Sequence, residues 1–244
     1  GNAPSTLAAP STNSNPLLPQ GLQVSGSALK YGGTGRFEFA RERLRALSAD
    51  TPREAVQEYE RLAKTGKLEP AQRYGKAIAH LRANEPAAAI DLLQGLLAQQ
   101  PRDEWLELAL AEAEAKAGRH AAADARFEAL VQHSPNDRAI ALTYARALGE
   151  RNTVAAGKRA QALLRPLLPR SAQDPVFQQT FARASEIAGD PVRAGEAYAE
   201  AAYLGGRPEQ ALVQLNTLKK RPELDYYARA RIESRIAAIT PVVL

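Results

Sequence analysis

Three histidines are the first candidates for chemistry in this chain, because imidazole serves both as a metal ligand and as a general base. His80, His120 and His133 are separated by 40 and 13 residues, whereas a zinc peptidase motif needs two histidines one helical turn apart with a glutamate between them. The chain has no cysteine, which excludes thiolate catalysis and sulfur-ligated metals. The histidines are therefore interpreted as surface or packing residues, and no metal site is predicted.

Paired carboxylates are the next candidates, as a general acid and base. Glu112 and Glu114, and likewise Asp124 and Glu128, are close in sequence, but nothing around them would shift a pKa, so they are interpreted as solvated charges on amphipathic helices. No Gly-x-Ser-x-Gly nucleophile elbow occurs, and Gly75 lacks the earlier glycine that a phosphate-binding loop requires. No catalytic residue and no cofactor are predicted for this chain.

The composition favours helices. Of 244 residues only 14 are aromatic, and alanine far outnumbers valine and isoleucine, which argues against a sheet. The net charge of +5 comes from 32 basic and 27 acidic residues that are interleaved along the chain, so nucleic acid is not an expected partner. No apolar run is long enough to predict a membrane span or a signal peptide.

The first 35 residues differ from the rest of the chain. They carry one charge, Lys30, and are rich in Pro, Ser, Thr, Asn and Gly, a composition that cannot bury enough apolar surface to fold alone. Residues 1–35 are therefore predicted to be a low-complexity linker that lies on the repeat surface, for example in its groove, or on a neighbouring molecule. The following domain begins at Arg36.

A period of 34 residues runs through that domain. Three columns keep this interval: a turn residue (Asp50, Asn84, Gly118, Asn152), an alanine five positions later (Ala55, Ala89, Ala123) and a large residue four positions after that (Tyr59, Leu93, Phe127). Asp, Asn and Gly suit the turn that closes a helix, and the alanine lets the next helix approach closely. Pro101 and Pro135 then end the second helix. Each unit is predicted to be a pair of antiparallel helices.

These columns resemble the tetratricopeptide repeat. The match is best over 104–137, where Ala111, Gly118, Ala123, Phe127 and Pro135 occupy the family positions. The resemblance implies an all-α fold, an α-solenoid of stacked helix pairs. The predicted units are 36–69, 70–103, 104–137, 138–174 and 175–221, within a superhelix covering 36–244.

The repeat register is expected to change after Asn152. The next small and large residues are taken as Ala160 and Leu164, which predicts three inserted residues around 153–158. Near the C-terminus the helix over 192–204 is expected to serve as the second helix of one unit and the first helix of the next. A capping helix is predicted over 225–239, with Ala228, Ile232, Ile236 and Ile239 on its buried stripe.

The first helix of each unit is expected to line an inner groove through positions 2, 5, 9 and 12 or 13. The resemblance therefore predicts a partner-binding groove, apolar at first and more basic later, whose residues share these positions: Tyr74, Ile78, Arg82, Trp105, Leu108, Glu112, Lys116, Arg146 and Arg183. Trp105 is the only tryptophan and the favoured anchor. The Lys and Asn residues with which some repeats clamp a C-terminal carboxylate are missing, so chaperone tails are not expected ligands.

Five local strings extend the resemblance to one family: FEFAR (37–41), QRYGKA (72–77), LLQGLL (92–97), AEAAYLGGR (199–207) and YYARARIESR (226–235). They are similar to the C-terminal repeats of the β-barrel assembly-enhancing proteases, which are bacterial periplasmic zinc metallopeptidases. This resemblance implies a non-catalytic, periplasmic region that binds outer-membrane proteins and their assembly machinery, with zinc held by a separate His-Glu-x-x-His domain. The alternative is a free-standing scaffold or adaptor for envelope or secretion-complex assembly.

Overall fold

A computed structural model of the chain describes residues 34–244, with side chains from residue 36 onward. The predicted linker and its docking therefore lie outside the described residues, apart from its last two positions, which are helical. The described part contains twelve helices of eleven or more residues: α1 (Thr34–Ser48), α2 (Pro52–Thr65), α3 (Pro70–Arg82), α4 (Pro86–Gln99), α5 (Glu104–Lys116), α6 (His120–His133), α7 (Arg138–Arg151), α8 (Val154–Leu164), α9 (Pro175–Ile187), α10 (Pro191–Leu204), α11 (Pro208–Lys219) and α12 (Tyr226–Val243).

The predicted all-α class is confirmed, since residues 34–244 contain helices and turns but no strand. Contacts group these helices into two units. The first unit ends at Glu85 and contains α1 to α3, and the second, Pro86–Leu244, contains α4 to α12. Within the second unit each helix from α4 to α8 packs on the next one, as in an α-solenoid, and α10 packs on both α9 and α11.

The first unit is built around a buried carboxylate. Glu42 on α1 is 1% exposed, and its Oε2 accepts a 2.8 Å hydrogen bond from the hydroxyl of Tyr59 on α2. Burial, then this hydrogen bond, raises the pKa of Tyr59. The ring of Phe39 on α1 lies 5.1 Å from that of Tyr74 on α3. These contacts tie α1 to both other helices of the unit.

Left-handed residues close the helices where the sequence predicts turns. Asn84, Gly118 and Asn152 have φ values of 58°, 79° and 53°. The fourth predicted turn residue, Asp50, also lies between two helices, α1 and α2, but its φ is not positive. Such a φ favours Gly and Asn, because a larger side chain would strain the backbone.

A left-handed residue closes two later helices as well, at Gly189 and Gly206. In each case the next residue donates its N–H back to the helix: Asp190 to the Ser185 carbonyl and Arg207 to the Ala202 carbonyl, both at 2.9 Å. This six-residue hydrogen bond is the Schellman motif, which satisfies carbonyls that the helix end would leave unpaired.

The small and large columns are buried as predicted. Ala89 and Ala123 are fully buried, as are Leu93 and Phe127. The Phe127 ring stacks on Tyr144 of α7 at 4.6 Å between centroids. A second cluster lies under the C-terminal helix, where Ala228, Ile232 and Ile239 are buried and Ile236 is half-buried.

The predicted insertion around 153–158 is wrong, because residues 154–164 form α8 directly after a two-residue turn. The repeat keeps its register there: Gly157 and Gln161 stand 34 residues after Ala123 and Phe127. The extra residues come after α8 instead, since α9 starts 37 residues after α7, compared with 34 between α5 and α7. The longer connection between α8 and α9 contains a 3₁₀ turn, Arg165–Leu167, and one helical turn, Leu168–Ser171.

Gly157 marks the closest approach between α8 and α9. A Cβ atom at this position would lie 2.6 Å from the backbone nitrogen of Ala188 and 2.8 Å from the carbonyl carbon of Ile187. Gln161 fills the place of the large apolar residue, and its Nε2 donates to Ser185 Oγ at 3.2 Å and to Asp190 Oδ2 at 2.9 Å. Backbone contact and a buried hydrogen bond therefore occupy these two positions, while Ala160 and Leu164 of the same helix pack in the apolar core.

Substitution Gly157→Ala should destabilise the second unit by about 1–3 kcal/mol, because the added methyl meets backbone that cannot rotate away. Gly95→Ala is the matched control in the same unit, since a Cβ there meets nothing within 4 Å. The control should be neutral or stabilising by up to about 1 kcal/mol. Urea unfolding followed by circular dichroism measures both changes, and equal midpoints for the two variants would contradict the close approach.

Candidate protein-binding surface

Two of the predicted groove residues are buried. Tyr74 and Ile78 on α3 are 1% and 3% exposed, so their assignment to an accessible groove is wrong. Tyr74 packs on Phe39, and its hydroxyl accepts a 3.3 Å hydrogen bond from Arg43. They are core residues because α1 covers the face of α3 that the repeat pattern leaves open.

Arg82, also on α3, is half-buried and engaged within the first unit. Its Nη1 donates to the carbonyls of Ala46 at 3.3 Å and Ala49 at 2.6 Å. These carbonyls lie at the C-terminal end of α1, where a cation also favours the helix dipole. Arg82 therefore caps a helix, which the repeat position alone does not reveal.

Four predicted residues lie along one face of α5 in the second unit. Trp105, Leu108 and Glu112 are half-buried and Lys116 is exposed. Leu108 also packs against the core, and the Lys116 ammonium lies 4.0 Å from a Glu112 carboxylate oxygen. The α5 face thus presents partly accessible apolar side chains beside a weak surface ion pair.

Two predicted arginines lie on α7 and α9, the first helices of the two following helix pairs. Arg146 on α7 and Arg183 on α9 are both exposed. Arg146 makes a 3.4 Å contact with the carbonyl of Leu142 in its own helix, and Arg183 lies beside the buried Gly149 of α7. Helix α5 packs on α7, and α7 packs on α9. The predicted residues on these three helices are therefore grouped as the α5–α7–α9 row: Trp105, Leu108, Glu112, Lys116, Leu142, Arg146 and Arg183.

The net charge changes sign between the first and the later helices of the second unit. Residues 86–137 contain four basic and nine acidic residues, whereas residues 138–244 contain sixteen basic and ten acidic ones. The α5 end of the row is therefore acidic and the α9 end basic. An extended ligand that carries acidic groups would be oriented by this gradient.

Three of the four carboxylates first considered for chemistry, Glu114, Asp124 and Glu128, instead join helices. Glu114, interpreted from sequence as solvated, is only 4% exposed, because its Oε1 accepts a 2.7 Å hydrogen bond from Arg126 of the next helix. Asp124 of α6 pairs with Arg151. Each pairing places an arginine beside a carboxylate of the neighbouring helix, so these groups hold the helices in position.

Glu128 of α6 is the centre of a three-helix network. Its Oε1 accepts hydrogen bonds from Tyr144 of α7 at 2.9 Å and from Arg159 of α8 at 2.8 Å. The Arg159 hydrogen bond is the main cause that lowers the pKa of Glu128, with a smaller contribution from the tyrosine. Burial, followed by the hydrogen bond to Glu128, raises the pKa of Tyr144.

The three histidines do not converge. His80 is 8% exposed and lies 3.5 Å from Glu85, while His120 and His133 are exposed on α6. Within residues 34–244 no group of three or more acidic or histidine side chains could hold a metal ion. In the same part of the chain, no helix combines the length and apolar character needed to cross a bilayer.

A cavity near the C-terminus was missed by sequence reasoning. It has a volume of about 300 Å³ and is bordered by α9 to α12. The sequence signal that could have found it is the matched spacing of two glutamates and two arginines. Glu196 and Glu200 lie on α10, and their partners Arg231 and Arg235 lie on α12, each 35 residues later.

Residues 80–147 match the tetratricopeptide repeat family. No curated protein matches the chain. Together with the stacked helix pairs and the closing turns at Asn84 and Gly118, this match supports a tetratricopeptide-repeat region and agrees with an α-solenoid architecture. Repeats of this kind indicate a protein–protein interaction scaffold.

The network around Glu128 predicts a pH-dependent contribution to stability. Because its folded-state pKa lies below the unfolded value, the contribution is present at neutral pH and disappears as the pH falls through the acid range. We expect Glu128→Gln to cost about 1 kcal/mol of unfolding free energy at pH 7, a modest value for a partly exposed pair, and much less at pH 3. Glu209→Gln, which removes an exposed carboxylate on α11, is the control. Urea titrations at both pH values test this, and a pH-independent difference would contradict it.

Proposed function

We propose that this chain is the non-catalytic, partner-recruiting region of a periplasmic zinc metallopeptidase concerned with quality control of outer-membrane proteins. The support for this family is the set of strings between residues 37 and 235, of which YYARARIESR at 226–235 is the most specific. In this proposal zinc belongs to a catalytic domain outside the chain, and the partners are outer-membrane proteins and their assembly machinery.

The observation that carries a binding role is the exposure of the α5–α7–α9 row. Trp105, Leu108 and Leu142 keep part of their apolar surface accessible in adjacent helices, although fully buried alanines and leucines fill the core beside them. Half-buried aromatic and aliphatic side chains are typical anchors for protein partners. Arg146 and Arg183 add long-range attraction for acidic segments.

The proposed mechanism is positioning. Helices that are fixed by buried contacts present the row with little conformational freedom, so an unfolded segment loses entropy on binding but the scaffold does not. Alternating apolar and polar residues of an unpaired outer-membrane strand would place one apolar side chain against Trp105 and the next against Leu108. The row would hold such a segment for the peptidase.

The binding role has a direct test. A Trp-free, capped twelve-residue peptide with alternating apolar and polar residues and two aspartates is labelled with a dye, and its anisotropy is followed as the whole chain is added. Trp105→Ala should weaken binding about tenfold, as expected for an aromatic anchor. Val213→Ala is the control, because Val213 is 66% exposed on α11, outside the row. Equal affinities for wild type and Trp105→Ala would overturn the proposal.

The metallopeptidase assignment is tested separately. The reading frame that encodes this chain should also encode a His-Glu-x-x-His motif ahead of it. A frame without this motif would reject the assignment and favour a free-standing scaffold, whatever the outcome of the peptide experiment.

A further inference from the structure

The cavity bordered by α9 to α12, here called the C-terminal cavity, has an apolar floor. Leu168, Phe181, Ala197, Leu215 and Ile232 line it, and all but the half-buried Leu168 are at most 3% exposed. Its volume of about 300 Å³ is at the low end for ligand sites. It has room for one large side chain and a neighbouring polar group, but not for an extended strand.

Two ion pairs form one wall of the C-terminal cavity. Arg231 on α12 contacts Glu196 on α10, with Nε–Oε1 and Nη2–Oε2 distances of 2.8 and 3.1 Å. Arg235 engages Glu200 in the same two-pronged way, and its guanidinium carbon lies 5.5 Å from the centroid of the Tyr203 ring. Bidentate ion pairs of this kind add geometric specificity as well as energy, so the wall is preorganised for a ligand.

Arg193 on α10 is the third guanidinium that lines the C-terminal cavity. Both carboxylates of the wall are already engaged by the other two arginines, and among residues 36–244 no ion pair involves Arg193. Its side chain is half-buried, next to an apolar floor where an unpaired charge is costly. The cavity therefore carries one uncompensated positive charge beside an apolar depression.

We propose that the C-terminal cavity binds an internal peptide segment in which a leucine-sized side chain is followed by an acidic residue. The apolar side chain would fill the depression beside Leu168, the half-buried apolar residue of the floor, and the acidic side chain would accept hydrogen bonds from Arg193. Charge complementarity selects the carboxylate, and the volume selects a single apolar side chain.

This site goes beyond the proposed function, because it does not use the α5–α7–α9 row. Phe181 in the cavity and Arg183 in the row are two residues apart on α9, so they point in directions about 200° apart around the helix. A partner could occupy both surfaces, but each can be tested alone.

The test uses the whole chain with ¹³C-labelled methyl groups and a capped peptide, acetyl-Gly-Ser-Leu-Glu-Gly-Ser-amide, which has no free terminal carboxylate. Titration should shift the methyl signals of Leu168, Leu215 and Ile232. Replacing Glu by Gln in the peptide, or Arg193→Gln in the protein, should each weaken binding at least about tenfold, since each removes a charge-assisted hydrogen bond.

Two further variants separate binding from folding. Ser234→Trp at the exposed rim of the cavity should block the peptide while leaving the helical circular dichroism unchanged. Arg165→Gln, an exposed arginine outside the cavity, should bind like the wild type, and so should Trp105→Ala. Shifts confined to other methyl groups, or equal affinities for the Glu and Gln peptides, would overturn the proposal even if the α5–α7–α9 row binds its own peptide.

Discussion

The close approach of successive helices, made possible by a small residue five positions after a left-handed turn, is the constraint on which the second unit depends. Asn or Gly closes one helix, and the next helix then lies near enough for backbone contact at Gly157 or fully buried alanine contact at Ala123. Because this geometry recurs every repeat, each new helix pair meets the same surface as the previous one. A helical repeat can therefore bury its apolar face only against its neighbours.

The same constraint determines which side chains remain available for partners. Partly buried ion pairs and hydrogen bonds, such as Arg126 with Glu114 and Gln161 with Asp190, occupy polar groups between helices. The residues of the α5–α7–α9 row are half-buried or exposed, so part of each side chain stays accessible. Near the C-terminus, Arg231 and Arg235 are paired with carboxylates, whereas within residues 36–244 Arg193 is in no ion pair. Both proposed binding surfaces therefore lie where side chains keep accessible apolar area or an unpaired charge.

The sequence predicts the helix class, the turn positions and the buried columns, because period and residue size report directly on close packing. It fails at Gln161, where a polar residue occupies the position of a large apolar one, so the sequence favours an alignment on Ala160 and Leu164. The fold shows that Ser185 and Asp190 accept hydrogen bonds from the Gln161 amide. The sequence fails at Tyr74 for a different reason. A first helix has both core and surface positions, and their exposure depends on the covering helix, α1.

Backbone chemical shifts of the uniformly labelled chain test this constraint most directly, because Cα and carbonyl shifts report φ and ψ residue by residue. The account predicts left-handed shifts at Asn84, Gly118, Asn152, Gly189 and Gly206, with unbroken helical shifts from Val154 to Leu164. A helix that continues through Asn152, or extended shifts anywhere within 154–164, would contradict it.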